Sequence, residues 1–131
     1  IYLACLDNMI ARTILNESAI NNGSILVNGA TEALHGVVET FTERGCMVCR
    51  YGRENARSSE VISCTEEGIR PIASIVTSTA WVGSMMALMS LMNLSPGCEN
   101  QNYRSTWYEG NIKQFTPTQP PWFDEPCKYH I

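Results

Sequence analysis

The sequence predicts an α+β fold: an antiparallel sheet with two helices packed on one face, a split βαβ-like α/β-sandwich stabilised by disulfides. Three observations carry this expectation. Ala30–Arg44 has a helical spacing of apolar residues, the run from Pro71 to Cys98 contains no charge, and six cysteines are spread along the 131 residues. A chain of this length reads as a single domain, 1–131. It divides into an N-terminal segment (1–29), a helix–hairpin–helix core (30–98) and a Pro- and aromatic-rich tail (99–131).

Residues 1–15 mix apolar and polar types and suit a strand or a short helix. The segment NESAINNGSILVNG, 16–29, is rich in Asn and Gly and reads as a loop with a short strand at Ser24–Asn28. In ATEALHGVVETFTER, Ala30, Ala33, Leu34, Val37, Val38 and Phe41 follow the i, i+3, i+4, i+7 spacing of an amphipathic helix. Glu32 in the first turn and Arg44 in the last suit the helix dipole, and Gly45 suits the stop. Cys46–Tyr51 and Glu60–Cys64 read as two strands of a hairpin joined by the polar octet GRENARSS.

Pro71 then opens a long apolar helix over Ile72–Leu94, about 34 Å in length and enough to cross a bilayer core of about 30 Å. Its residues are sorted by size. Ala73, Val76, Ala80, Gly83, Ala87 and Ser90 recur at three- and four-residue intervals, while Trp81, Met85, Leu88, Met89 and Met92 fall opposite. The small face predicts close backbone packing and the bulky face predicts core filling. The helix stops at Ser95-Pro96-Gly97-Cys98. In the tail, Thr106–Phe115 suits a strand and TPTQPP (116–121) an extended segment. The predicted order is β-α-β-β-α-β.

Charged residues make up 17% of the chain, apolar ones 44%, and the net charge is −4. This composition argues against disorder and against nucleic acid as a partner, which calls for a basic footprint. The even cysteine count, Cys5, Cys46, Cys49, Cys64, Cys98 and Cys127, predicts three disulfides and an oxidising, secretory compartment. The sequons at Asn16 and Asn22 agree with that route as glycosylation sites. The chain opens at Ile1, as a processed secreted product would.

Cys46-Met47-Val48-Cys49 is a CxxC. A redox role calls for such a pair at a helix start. Read as a strand, the motif sends the two sulfurs to opposite faces, so the sequence assigns them to structural disulfides with different partners. A zinc site from Cys46, Cys49, Cys64 and His35 lacks a second tight pair. His35 and His130 show no spacing that would make them converge for acid–base work. The sequence therefore points to no catalytic residue, no metal, no cofactor and no enzyme. The candidate functional residues are those of the apolar helix: Ala73, Ala80, Gly83, Ala87, Trp81 and Met85, for helix packing or membrane action. Trp107, Tyr108, Trp122 and Phe123 are candidates for a contact surface.

The order helix, cysteine-bearing hairpin (GCMVCRYGRENARSSEVISC) and long apolar helix (GIRPIASIVTSTAWVGSMMALMSLM) resembles secreted fungal proteins of the killer-toxin type and related small cysteine-rich effectors. That resemblance covers Ala30 to Cys98. It implies a secreted toxin acting on the envelope or membrane of competing fungal cells. The implied partners are a target membrane or cell-surface receptor, and a second toxin chain or a second copy. A secreted module that recognises a host protein or glycan is the alternative, and a small hydrolase or nuclease using His35 is a third reading.

Overall fold

The computed structural model describes residues 1–42, 45–52 and 74–97 in full, together with the backbone of 103–108 and 111–117. A five-stranded mixed sheet forms the centre, in the order β1 (Tyr2–Ala4), β2 (Leu26–Glu32), β3 (His35–Phe41), β4 (Tyr103–Tyr108), β5 (Asn111–Pro117). β1 and β2 are parallel and are joined through α1 (Met9–Asn21); every later pairing is antiparallel. A short α2 (Met47–Tyr51) follows β3, and α3 (Val76–Leu94) is the long apolar helix.

The fold is thus α+β, as the sequence implies, but its helices occupy both faces of the sheet. Alternation along the strands sorts the two sides. Ala4, Leu26 and Phe41 turn towards α1 and α2, where Ala19 and Met47 complete a buried cluster. Val27 and Val38 turn the other way and meet Val82, Met86 and Met89 of α3. The expectation of two helices on one face fails because both faces of β2 and β3 are covered.

That double burial also explains the largest departure from the expected elements. The stretch Ala30–Arg44, expected as a helix, is the end of β2, a tight turn and β3, with Glu32 paired to His35 around Ala33-Leu34. A strand buried on both sides shows no polar–apolar alternation, and the turn carries no Gly, Asn or Pro to announce it. The local preference of Val37, Val38, Thr40, Phe41 and Thr42 for strands decided the outcome. Ala33 closes the turn with φ of 49°, in the left-handed region. In the other direction, Cys46–Tyr51 is helical where a strand was expected, being too short to display a period. Its proposed partner, Glu60–Cys64, lies outside the described residues.

The long helix begins at Val76 and ends at Leu94, followed by the expected Ser95-Pro96-Gly97 stop, where Gly97 adopts φ of 87°. Its N-terminus rests on the β2–β3 turn. Ile75 N–H donates to Ala33 O at 3.3 Å, and Ser78 Oγ lies 3.0 Å from the same oxygen. Ser74 Oγ donates to Thr31 Oγ1 at 2.9 Å. Two glycines of the sheet make room for the helix. A Cβ on Gly36 would stand 2.7 Å from Val82 Cγ2, and one on Gly29 would stand 2.7 Å from Val82 Cγ1.

The buried side of α3 is therefore mostly the bulky one, although Leu88, expected on it, is exposed. The small face expected to pack closely is exposed: Ala80, Gly83 and Ala87 all face solvent, and none of the described residues lies within 4 Å of a Cβ placed on Gly83. Trp81 and Met85 are half-buried against the core, as their size suggests; Ala73 lies outside the described residues. Among the described residues, no helix is long and apolar enough to cross a membrane.

Candidate functional site

In open sheets with parallel strands, ligands are met at the carboxyl ends of those strands, where the chain turns into a helix. Here that place is the link Cys5–Asn8 between β1 and α1. Asn8 caps the helix: its backbone is extended and its Oδ1 accepts the Ala11 N–H at 2.8 Å. The exposed Asp7 carboxylate sits just before the cap and accepts from Asn8 Nδ2 at 3.1 Å.

Arg12, one turn into α1, holds this link to the sheet. Its Nη2 donates to Leu6 O, and its Nη1 donates to Asn28 Oδ1 and, at 2.6 Å, to Gly29 O. The planar fork of guanidinium is suited to bridging several acceptors at once. Burial pushes the Arg12 pKa below its usual range, while the neighbouring Tyr51, Cys5 and Asp7 act in the opposite direction.

Asn28 faces Glu39 across the β2–β3 ladder. Glu39 is buried yet well held: Arg50 Nε approaches its Oε1 at 3.3 Å, and Tyr51 OH donates to its Oε2. The Arg50 guanidinium also lies 5.9 Å from the centroid of the Tyr51 ring, and Tyr51 stands in a tilted contact with Phe41. One face of the sheet thus carries a polar group of Arg12, Asn28, Glu39, Arg50 and Tyr51, with Asp7 at its open end.

None of these side chains stood out in the sequence. Glu39 falls on the polar side of the helix expected over Ala30–Arg44, and Arg50 in the run expected as a strand. The available signal was the pair Asp7-Asn8 ahead of Met9, an N-cap pattern with an arginine one turn later.

The expected site residues are dispersed. No disulfide joins Cys5, Cys46 and Cys49 to one another, so the disulfide framework does not appear among the described residues; Cys64, Cys98 and Cys127 lie outside them. Asn16 is fully buried within α1, where a glycan has no room, whereas Asn22 is exposed at the end of that helix. Trp107 and Tyr108 belong to β4, and Trp122 and Phe123 lie outside the described residues. His35 is exposed at the turn end of β3, separated from the Cys46 end by the length of the strand, about 20 Å. No group of three or more His, Cys, Asp and Glu gathers to hold a metal among the described residues.

Residues 1–127 match the ThiF family. The chain belongs to that family. No curated protein matches it. ThiF family domains belong to adenylyltransferase enzymes, and this overturns the killer-toxin resemblance with the toxin reading it implied, and also the non-enzyme reading taken from the lack of converging catalytic residues. The resemblance rested on an amphipathic helix at 30–44 and a strand pair at 46–64. The first is a hairpin, and the described part of the second is a helix.

Proposed function

We propose that this ThiF family chain serves an adenylyltransferase, with the Cys5–Asn8 link at the carboxyl end of β1 facing the nucleotide. Adenylyl transfer joins an acceptor oxygen to the α-phosphorus of ATP while the bond to the departing pyrophosphate breaks. Charge accumulates on the phosphate oxygens, so the reaction relies on positioning and on electrostatic stabilisation. The nucleotide arrives with a divalent cation as part of the substrate, and a carboxylate at the site's edge is a suitable oxygen ligand for it. Asp7 is the exposed carboxylate in that position.

The observation that carries this reading is the anchoring of the link. Arg12 ties Leu6 O to Asn28 and Gly29 of β2, which fixes the backbone directly before Asp7. A rigid support under an exposed acid is what a preorganised site requires. Isothermal titration of the chain with magnesium-ATP tests the assignment. Binding that weakens at least about tenfold in Asp7→Asn, a loss of about 1.4 kcal/mol, supports it. Equal binding by both proteins would remove Asp7 from the site, and binding by neither would remove the nucleotide.

A further inference from the structure

The dipeptide Asn-Gly occurs twice in the chain, at Asn22-Gly23 and at Asn28-Gly29. The backbone nitrogen that follows an asparagine can attack the side-chain amide carbon. Glycine, with no Cβ, leaves that nitrogen least hindered. The fold places the two copies in opposite surroundings.

Asn28 and Gly29 lie inside β2 and are both buried. Asn28 pairs with Glu39 in the ladder, and its Oδ1 accepts from Arg12. Met86 and Val82 of α3 close over Gly29. Ring closure at Asn28 would have to break the strand. Asn22 instead caps the end of α1 and, like Gly23, is exposed. None of the described residues lies within 4 Å of a Cβ placed on Gly23. Asn22 Nδ2 donates to Ser18 O at 2.7 Å and to Tyr2 Oη at 3.3 Å, and Gly23 N–H donates to Ile20 O at 2.9 Å. Asn22 holds ψ of 11°, which turns the Gly23 nitrogen away from the side chain, so the reaction waits for this turn to open. A helix end is where opening costs least.

We propose that Asn22 is a site of spontaneous deamidation in the folded chain, with water as the co-reactant. Gly23 N bonds to Asn22 Cγ and the Cγ–Nδ2 bond breaks. The amide nitrogen leaves as ammonia, taking the proton from Gly23 N. Water then opens the cyclic imide. Cleavage of one C–N bond gives aspartate, and cleavage of the other gives isoaspartate, whose main chain runs through Cγ. Either product reverses the chemistry of the cap. A carboxylate has no hydrogen to give Ser18 O, and its charge sits at the negative end of the helix dipole. The modification therefore loosens the end of α1 beside Tyr2 of β1, and it needs no nucleotide.

Mass spectrometry of the aged chain tests this. The whole chain is held in mildly alkaline buffer, then digested with trypsin in mildly acidic buffer, which suppresses the reaction. Cleavage after Arg12 and Arg44 leaves both Asn-Gly pairs in one peptide, Thr13–Arg44, so handling affects them alike. Fragmentation should place the new acid at Asn22 at least about tenfold ahead of Asn28, because a helix end opens far more cheaply than a central strand. In urea the difference between the two should vanish, and Asn22→Gln should abolish the early conversion. Asn22→Asp should melt below the parent. Equal conversion at both asparagines of the folded chain overturns the proposal. So does an unchanged Asn22 over a period in which the urea-unfolded chain converts. An Asn22→Asp chain as stable as the parent overturns the effect on α1.

Discussion

Asn28 and Glu39 are direct partners across the β2–β3 ladder, and each is claimed by an arginine from a different helix. Arg12 reaches Asn28 from α1, and Arg50 reaches Glu39 from α2. The sheet therefore acts as a template that fixes the link after β1 and the short helix after β3 on one surface. Polar groups buried this way are worth little unless every partner is present, because an orphaned one keeps its desolvation penalty.

Arg12→Lys tests the first half of that arrangement. A lysine carries one ammonium and cannot reproduce the fork that serves Leu6 O, Asn28 and Gly29 O. The loss of about 1–3 kcal/mol in stability that follows from unpaired buried acceptors should appear in urea denaturation. Magnesium-ATP binding should weaken as well, since the link before Asp7 loses its tie. A variant as stable as the parent would show that solvent replaces the fork.

Arg50→Met tests the second half. Glu39 is 1% exposed, whereas the Arg50 side chain retains 28% exposure, so removing the arginine strands the acid with Tyr51 as a remaining donor. A destabilisation of about 1–3 kcal/mol is expected. Replacing both partners, Glu39→Leu with Arg50→Met, should recover part of it, because breaking a buried pair is worse than removing the pair. A double variant weaker than the sum of the two single ones would contradict this account.

Gly36→Ala probes the seat of α3. The new Cβ would meet Val82 Cγ2 at 2.7 Å and Trp81 Cε3 at 3.2 Å. Val82 is branched at Cβ and has little rotamer freedom in a helix, so the helix itself must shift. Overpacking of this kind costs about 1–3 kcal/mol. Pairing it with Val82→Ala should show a coupling energy of at least about 0.5 kcal/mol, measured by a double-mutant cycle; strict additivity would place the contact elsewhere.

Ala33→Gly addresses the turn. Ala33 holds φ of 49°, a region that costs an L-residue roughly 1–2 kcal/mol relative to glycine. The added freedom of glycine in the unfolded chain takes back about 0.4–1 kcal/mol. The net expectation is a small rise in melting temperature. A fall would mean that the alanine methyl makes a contact of comparable worth.

The sequence was most legible where one physical signal acted alone. The long helix and its Ser95-Pro96-Gly97 stop were readable because an uncharged apolar run ends at two residues that break helices. The α+β class was read from that run together with a helix at Ala30–Arg44, which the fold replaces by a hairpin, so the class was legible on only part of its basis. Ala30–Arg44 was not, because burial on both faces erases alternation and the remaining spacing mimics a helix. The site was hidden by tertiary structure: Arg12, Glu39 and Arg50 are distant in the chain and look like ordinary surface charges until β2 and β3 bring them together. The CxxC was misplaced because five residues of helix resemble five residues of strand.

Gly83 separates the face that α3 buries from the face its composition suggests. A small-residue stripe predicts close packing at Gly83, and a larger side chain there should then be disruptive. In the fold, Gly83 is exposed, and a Cβ at that position meets nothing within 4 Å among the described residues. The glycine therefore weakens the middle of a 19-residue helix without serving a contact among the described residues. Gly83→Ala should stabilise the chain by up to about 1 kcal/mol through helix propensity, and Gly83→Leu should be tolerated as well. Both can be read by thermal and urea denaturation of the isolated chain. A clear loss of stability in either variant would show that another surface covers this side of the helix in solution.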